Sequence, residues 1–179
     1  EYTKNGIQLL KIANVSHSEF LWNEQSFVPN SFWEKYSEFR LNKNDIIIAL
    51  TRPIISSGLK IGILDSNVKC LLNQRVGRFI VKPNMDLKYL FYFLNLQYII
   101  NQIKFRTAEN LQPNISTDEF EKILVWIPNN LPEQKQIASI LSNVDTQIQK
   151  EKLHKSNLER LKKGLMQKLL TGQIRVKIK

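Results

Sequence analysis

Apolar positions change their spacing along the chain, and the change marks where one kind of structure gives way to another. Gln8 to Val15 reads as a strand. After Ser31, a residue able to cap a helix, the rings of Phe32, Trp33, Tyr36 and Phe39 recur every three to four positions and predict a helix with its aromatics on one face. Such a stripe reads as core rather than as a platform for stacking bases. Asn42 to Asp45 is a turn cluster, and the β-branched run Ile46 to Leu50 behind it suits a buried strand. The loop Thr51 to Gly58 follows, then a strand over Leu59 to Leu64, a turn at Asp65 to Asn67 and strand-like sequence from Val68 to Ile80. Leu87 to Ile103 has helical spacing, with Leu90, Phe91, Leu94, Tyr98 and Ile99 on the face to be buried. Thr107 to Pro113 reads as a polar loop, and Val125 to Pro128 as a last strand stopped by proline.

Beyond Pro128 to Pro132 the pattern is helical throughout. Pro132 and Glu133 favour a helix start, with Ile137, Ile140 and Leu141 repeating behind them. Ser142 or Asn143 is placed to cap a second, longer helix, with Asp145 in its first turn. Its apolar seam runs Val144, Ile148, Leu158, Leu161, Leu165 and Leu169, interrupted by Glu151, Lys152, His154 and Lys155. Thr171-Gly172 supplies the stop, because glycine accepts the left-handed conformation after a last turn. From about Asn143 to Thr171 this helix spans about 43 Å at 1.5 Å per residue. A small domain cannot cover so long a seam, so the pattern predicts one arm of a coiled coil, parallel or antiparallel. The fold class is therefore α+β: a mixed domain over residues 1–130 and a helical region over 131–179.

Composition sharpens the division. The 179 residues are 42% hydrophobic and 23% charged, an ordinary globular balance. Net charge is +10, and residues 131–179 hold 11 Lys/Arg against 4 Asp/Glu. That excess suits a polyanionic partner, although a basic helix face is also a common solvated surface. No apolar run reaches the roughly 18 residues of a membrane span, and Glu1 to Gly6 lacks a signal-peptide pattern, so the chain reads as cytoplasmic. Glu1 in place of an initiator methionine suggests a chain shown in part.

The motifs of common catalytic chemistry are missing. The sequence contains no glycine-rich phosphate loop, no G-x-S-x-G and no H-E-x-x-H. Cys70 stands alone and reads as a small buried hydrophobe; His17 and His154 are far apart and read as structural or surface imidazoles, so no Cys/His metal site can be assembled from this chain. Glu133-Gln134-Lys135 has the E-x-K lettering of some metal-dependent nucleases but stands at a helix start without strand context. The pattern points to a binding module without cofactor, with chemistry left to other chains.

The stretch Ile127-Pro128-Asn129-Asn130-Leu131-Pro132-Glu133-Gln134-Lys135-Gln136-Ile137-Ala138-Ser139-Ile140-Leu141, with Asp145 and Leu161 to Gly172 after it, resembles the conserved helical region of the specificity subunits of type I restriction–modification enzymes. Upstream, Leu72 to Arg78 and Asn110 to Thr117 resemble the end of that family's target recognition domain. The resemblance implies a DNA reader that contacts one half of a bipartite double-stranded site. Its helices would act as a spacer and dock methyltransferase subunits, with the restriction subunit joining through the complex. Family members usually carry two recognition domains and two helical regions, whereas this chain has one of each. On this resemblance it is either the second half of a longer subunit or a half-subunit that forms a homodimer through the Val144 to Leu169 seam.

Reading bases in the major groove needs bidentate donors for guanine and amides for adenine. Arg52, Lys60, Arg75, Arg78, Arg106, Asn110, Gln112 and Asn114 are the candidates on or near loops, and Ser56 and Ser57 suit phosphate or sugar contacts. Base flipping and methylation would belong to the partner. The alternatives are a sequence-independent nucleic-acid binder, a helical scaffold that ignores DNA, and a divergent nuclease acting through Glu133.

Overall fold

The computed structural model describes residues 2–107 and 113–177. The chain divides into two compact units, Glu1–Lys135 and Gln136–Lys179. Among the described residues no helix is long and apolar enough to cross a membrane.

The first unit is built around one strand. The run Ile46-Ile47-Ile48-Ala49 forms β4, Ile46–Ala49, and every side chain on it is buried. Its alternation divides the core in two. Ile46 and Ile48 join Leu59, Ile61, Leu94, Ile99, Ile100, Ile103, Ile115 and Ile123 in one cluster. Ile47 and Ala49 point the other way, into a cluster with Leu10, Val15, Leu41, Leu64, Cys70 and Val76. A strand apolar on both faces must be sandwiched, and the sequence around it supplies both covers.

On either edge β4 pairs antiparallel with β7, Ile61–Ile63, and β9, Val76–Phe79. Helices α2, Leu87–Leu94, and α3, Gln97–Thr107, contribute to the first cluster. The second cluster is shared with a four-stranded sheet of order β2-β1-β8-β3, formed by Phe27–Val28, Ile7–Leu10, Cys70–Leu72 and Arg40–Leu41. Its central pair β1 and β8 is parallel, with Gln8 opposite Cys70 and Leu10 opposite Leu72. Burial pushes the Cys70 thiol up to about 12, so it stays neutral in the core.

Several elements differ from the expectation. The strand over Gln8 to Val15 stops at Leu10 and is followed by a 3-10 turn, Ile12–Asn14. Asn14 is buried there; its oxygen accepts the Lys11 N–H and its amide donates to the Leu21 and Glu24 carbonyls at 2.8 and 2.9 Å. The aromatic helix is only α1, Phe32–Lys35, plus a 3-10 turn, Ser37–Phe39, and the Ser31 side chain makes no capping bond. Phe32 and Trp33 pack on Ile7, Val28 and Leu71, while Phe39 stays exposed. Val68 to Ile80 is two strands, β8 and β9, in different sheets, with a turn at Gln74-Arg75 between them. The expected helix over Leu87 to Ile103 breaks at Asn95-Leu96, and Tyr98 is half exposed. Val125 to Pro128 joins no sheet, and Trp126 is 97% exposed. A short helix α4, Thr117–Glu121, carries a capping box in which Ser116 and Glu119 satisfy each other's backbone N–H.

The C-terminal helix is one continuous element, α5, Leu131–Leu170, with no break at Ser142 or Asn143. Its 40 residues span about 60 Å. It ends as the sequence indicates, with Gly172 at φ +74°.

Candidate nucleic-acid interface

The C-terminal end of β4 is where distant parts of the chain meet. As the strand leaves the core, the Leu50 N–H donates to the Arg75 carbonyl at 2.8 Å, tying the β8–β9 turn to this end. One residue on, Thr51 bridges to Asn114; the Ile115 N–H donates to the Leu50 carbonyl, and the Arg52 N–H donates to the Pro113 carbonyl. The Ala49 N–H donates to the Lys60 carbonyl at 3.0 Å. Positions 52, 60, 75 and 114 are thus gathered by backbone bonds around one strand end, from four separate stretches of sequence. Arg52, Arg75 and Asn114 are exposed there, and Lys60 is half-buried.

A small hairpin stands beside them. Strands β5, Ile54–Ile55, and β6, Gly58–Leu59, pair with each other alone among the described residues, with Ser56 and Ser57 as the exposed two-residue loop. Its base is held by the Lys60 N–H, which donates to the Pro53 carbonyl at 2.7 Å. His17 supports it from the side, its Nδ1 lying 3.1 Å from the Leu59 carbonyl oxygen. Gly58 sits at φ +131°, and a Cβ there would lie 2.8 Å from the His17 ring. Gly58→Ala is therefore expected to destabilise the first unit by about 1–3 kcal/mol, read as a lower urea midpoint. An unchanged midpoint would show that the hairpin moves aside freely.

The arginines of the first unit fall into two groups. Arg78 bridges to the Asp45 carboxylate at 3.3 Å and also donates to the Arg40 and Glu38 carbonyls. Arg106 donates to the Gln102 side chain at 2.7 Å and to the Lys122 carbonyl at 3.1 Å. Arg40 lies over the Trp33 ring at 4.7 Å and pairs with Glu34 at 2.6 Å. These three guanidinium groups hold the fold together. Arg52 and Arg75 do not: among the described residues neither side chain has a hydrogen-bond or ionic partner. Both also have left-handed backbone, φ +46° and +67°. Asn110 and Gln112 lie outside the described residues.

Sequence reasoning missed one central residue. Gln134, within the E-x-K lettering, is 1% exposed. Its Oε1 accepts the Asp86 N–H at 2.8 Å, and its Nε2 donates to the Pro128 carbonyl at 2.7 Å and the Asn84 carbonyl at 3.5 Å. Asp86 in turn caps α2 by accepting the Tyr89 N–H. Burial raises the Tyr89 hydroxyl above its ordinary range, with the Glu133 carboxylate adding to the effect. A glutamine beside the helix-starting proline was the available signal, but its partners lie up to 50 positions away. Among the described residues no group of His, Cys, Asp and Glu is arranged to hold a metal ion.

In the second unit the seam residues Val144, Ile148, Leu158, Leu161, Leu165 and Leu169 are all exposed. Leu158, Leu161, Leu165 and Leu169 line a shallow apolar furrow with Met166 and Leu170.

Comparison with known proteins agrees with the resemblance noted in the sequence. The chain is 40% identical over 179 residues to the type I restriction enzyme MjaVIII specificity subunit of Methanocaldococcus jannaschii, a match covering 99% of this chain and 42% of that protein. It is 35% identical over 150 residues to the type I restriction enzyme EcoAI specificity subunit of Escherichia coli, covering 83% of this chain and 25% of that protein. The chain thus spans about two fifths or less of the length of these relatives. Residues 6–160 match the family described as the type I restriction modification DNA specificity domain, and the chain belongs to that family.

Proposed function

We propose that this chain is a non-catalytic reader of duplex DNA. Residues 1–130 would recognise one half of a bipartite site, and residues 131–179 would pair with another helix and dock methyltransferase subunits. The restriction subunit would join through the resulting complex, in the cytoplasm. The observation that carries this reading is the gathering of Arg52, Lys60, Arg75 and Asn114 at the end of β4, beside the Ser56-Ser57 hairpin. Loop residues placed by a rigid strand suit recognition, because the backbone that positions them is fixed before DNA arrives. Arginine and asparagine are side chains able to make bidentate contacts in the major groove, and serine and lysine suit the phosphates that set register.

The helical part of the reading rests on the seam. An exposed apolar stripe from Val144 to Leu169, about 38 Å of helix at 1.5 Å per residue, needs a second helix, from another copy of the chain or from the remainder of a longer subunit.

Selection from randomised duplex DNA tests the whole reading, using the chain reconstituted with the methyltransferase encoded beside it. A bipartite palindrome with a fixed gap is expected if two copies pair; a single half-site motif is expected if the partner helix belongs to the same longer subunit. No enrichment, with binding that depends steeply on salt, would replace this reading with sequence-independent binding. No binding at all would leave a scaffold.

A further inference from the structure

We infer that Arg52 and Arg75 are the specificity-determining pair of this surface, each taking a guanine in the major groove; this rests on the DNA-reading function proposed above. Among the described residues, four that are not glycine have left-handed backbone: Ser18, Asn44, Arg52 and Arg75. Asn44 lies in a tight turn, and asparagine adopts this conformation with little penalty. Arginine has no such local advantage. Glycine would satisfy the same backbone without a Cβ clash, so a long charged side chain at these positions needs a reason outside the fold.

Local packing does not supply that reason. Both arginines are exposed, and among the described residues neither guanidinium is engaged, whereas Arg40, Arg78 and Arg106 are each tied to carbonyls or carboxylates. Both backbones are instead fixed from outside their own turns. The Arg52 N–H is held by the Pro113 carbonyl, and the Arg75 carbonyl by the Leu50 N–H. Two turns 23 positions apart in sequence are thereby set at one strand end, each presenting an unengaged guanidinium. A guanidinium that arrives unpaired loses no internal bond when it meets a base, and its planar fork matches the O6 and N7 acceptors of guanine. Lys60 and the Ser56-Ser57 loop, beside them, would carry the phosphate contacts.

The test uses the full chain with its methyltransferase and pairs motif selection with thermal melting of the chain. Arg52→Lys and Arg75→Lys keep the charge but lose the fork. Each is expected to remove a guanine preference from the selected motif and to weaken binding to the wild-type site about 5- to 100-fold, with a nearly unchanged salt slope. Arg52→Gly and Arg75→Gly are expected to lose the same preference while leaving the melting midpoint unchanged or raising it by about 2–4 °C. A motif that survives all four substitutions with unchanged affinity would overturn the pair and leave the DNA-reading function standing. A clear fall in midpoint for the glycine variants would also overturn it, by showing that the arginines serve the fold. Failure of the wild-type complex to select any motif would overturn the DNA-reading function itself.

Discussion

Gln134→Ala is expected to lower the unfolding free energy of the chain by about 2–4 kcal/mol, among the largest losses available from one polar side chain here. The substitution does more than open a cavity. It removes the acceptor for the Asp86 N–H and the donor for the Pro128 and Asn84 carbonyls, all at a site closed to water. Each group left without a partner carries the full penalty of its desolvation. Gln134→Glu separates the two halves of the effect. The carboxylate can still accept from Asp86, but it faces the Pro128 carbonyl with a second acceptor and a buried charge. At neutral pH it should be at least as destabilising as alanine. Acidification should recover part of the loss, because only the protonated carboxyl donates. Its folded-state pKa must lie above the ordinary value, so the variant's relative stability is greatest below that ordinary value and falls as pH rises through the folded one. Urea melts at several pH values measure both. A Gln134→Ala midpoint equal to wild type would mean that water replaces the amide without penalty.

The second large effect is expected in the helical unit. Leu161→Asp combined with Leu165→Asp places two carboxylates in the middle of the furrow between Leu158 and Leu169. Burying one leucine side chain is worth about 1.5–3 kcal/mol, so losing two should weaken helix pairing at least about 100-fold before any charge repulsion is added. Sedimentation of the wild-type chain is expected to show concentration-dependent association that the double variant lacks. Both side chains are already exposed in the single chain, so the melt of the first unit should not move. Equal sedimentation of the two proteins as monomers would mean that the seam meets its partner only within a longer subunit. Equal association would place the pairing surface elsewhere on the helix.

Local chemistry was readable in the sequence where it acted alone. The β-branched run Ile46 to Ala49 could be little other than a strand buried on both faces, and Gly172 could be read as a helix stop because only one conformation was at issue. What escaped was set by distant partners. Val68 to Ile80 has one continuous apolar character, yet the Asn73 N–H is drawn to the Leu10 carbonyl while the Arg75 carbonyl is drawn to Leu50, so the run folds into strands of two sheets. Val125 and Ile127 look like strand residues, but among the described residues no strand pairs with them. Asn95 looks compatible with a long helix, although its backbone closes α2 instead. Ser142 and Asn143 look like caps, but the ladder of α5 runs through both positions. The site followed the same rule: types of residue were legible, and the division between engaged and unengaged arginines was not. Arg78 and Arg52 look alike in sequence, and the Asp45 carboxylate with the Arg40 and Glu38 carbonyls beside one of them separates their roles.

The burial of β4 has an evolutionary corollary. All four of its side chains are enclosed, while Arg52, three positions past its end, stands in solvent together with Arg75 and Asn114. Exposed side chains on ordinary backbone, such as Ser56 and Ser57, tolerate substitution within about 0.5 kcal/mol, whereas the strand itself tolerates almost none. Variation would accordingly accumulate at the turns and spare the strand that orients them. A lineage could change the address it reads one exposed residue at a time without passing through an unfolded intermediate.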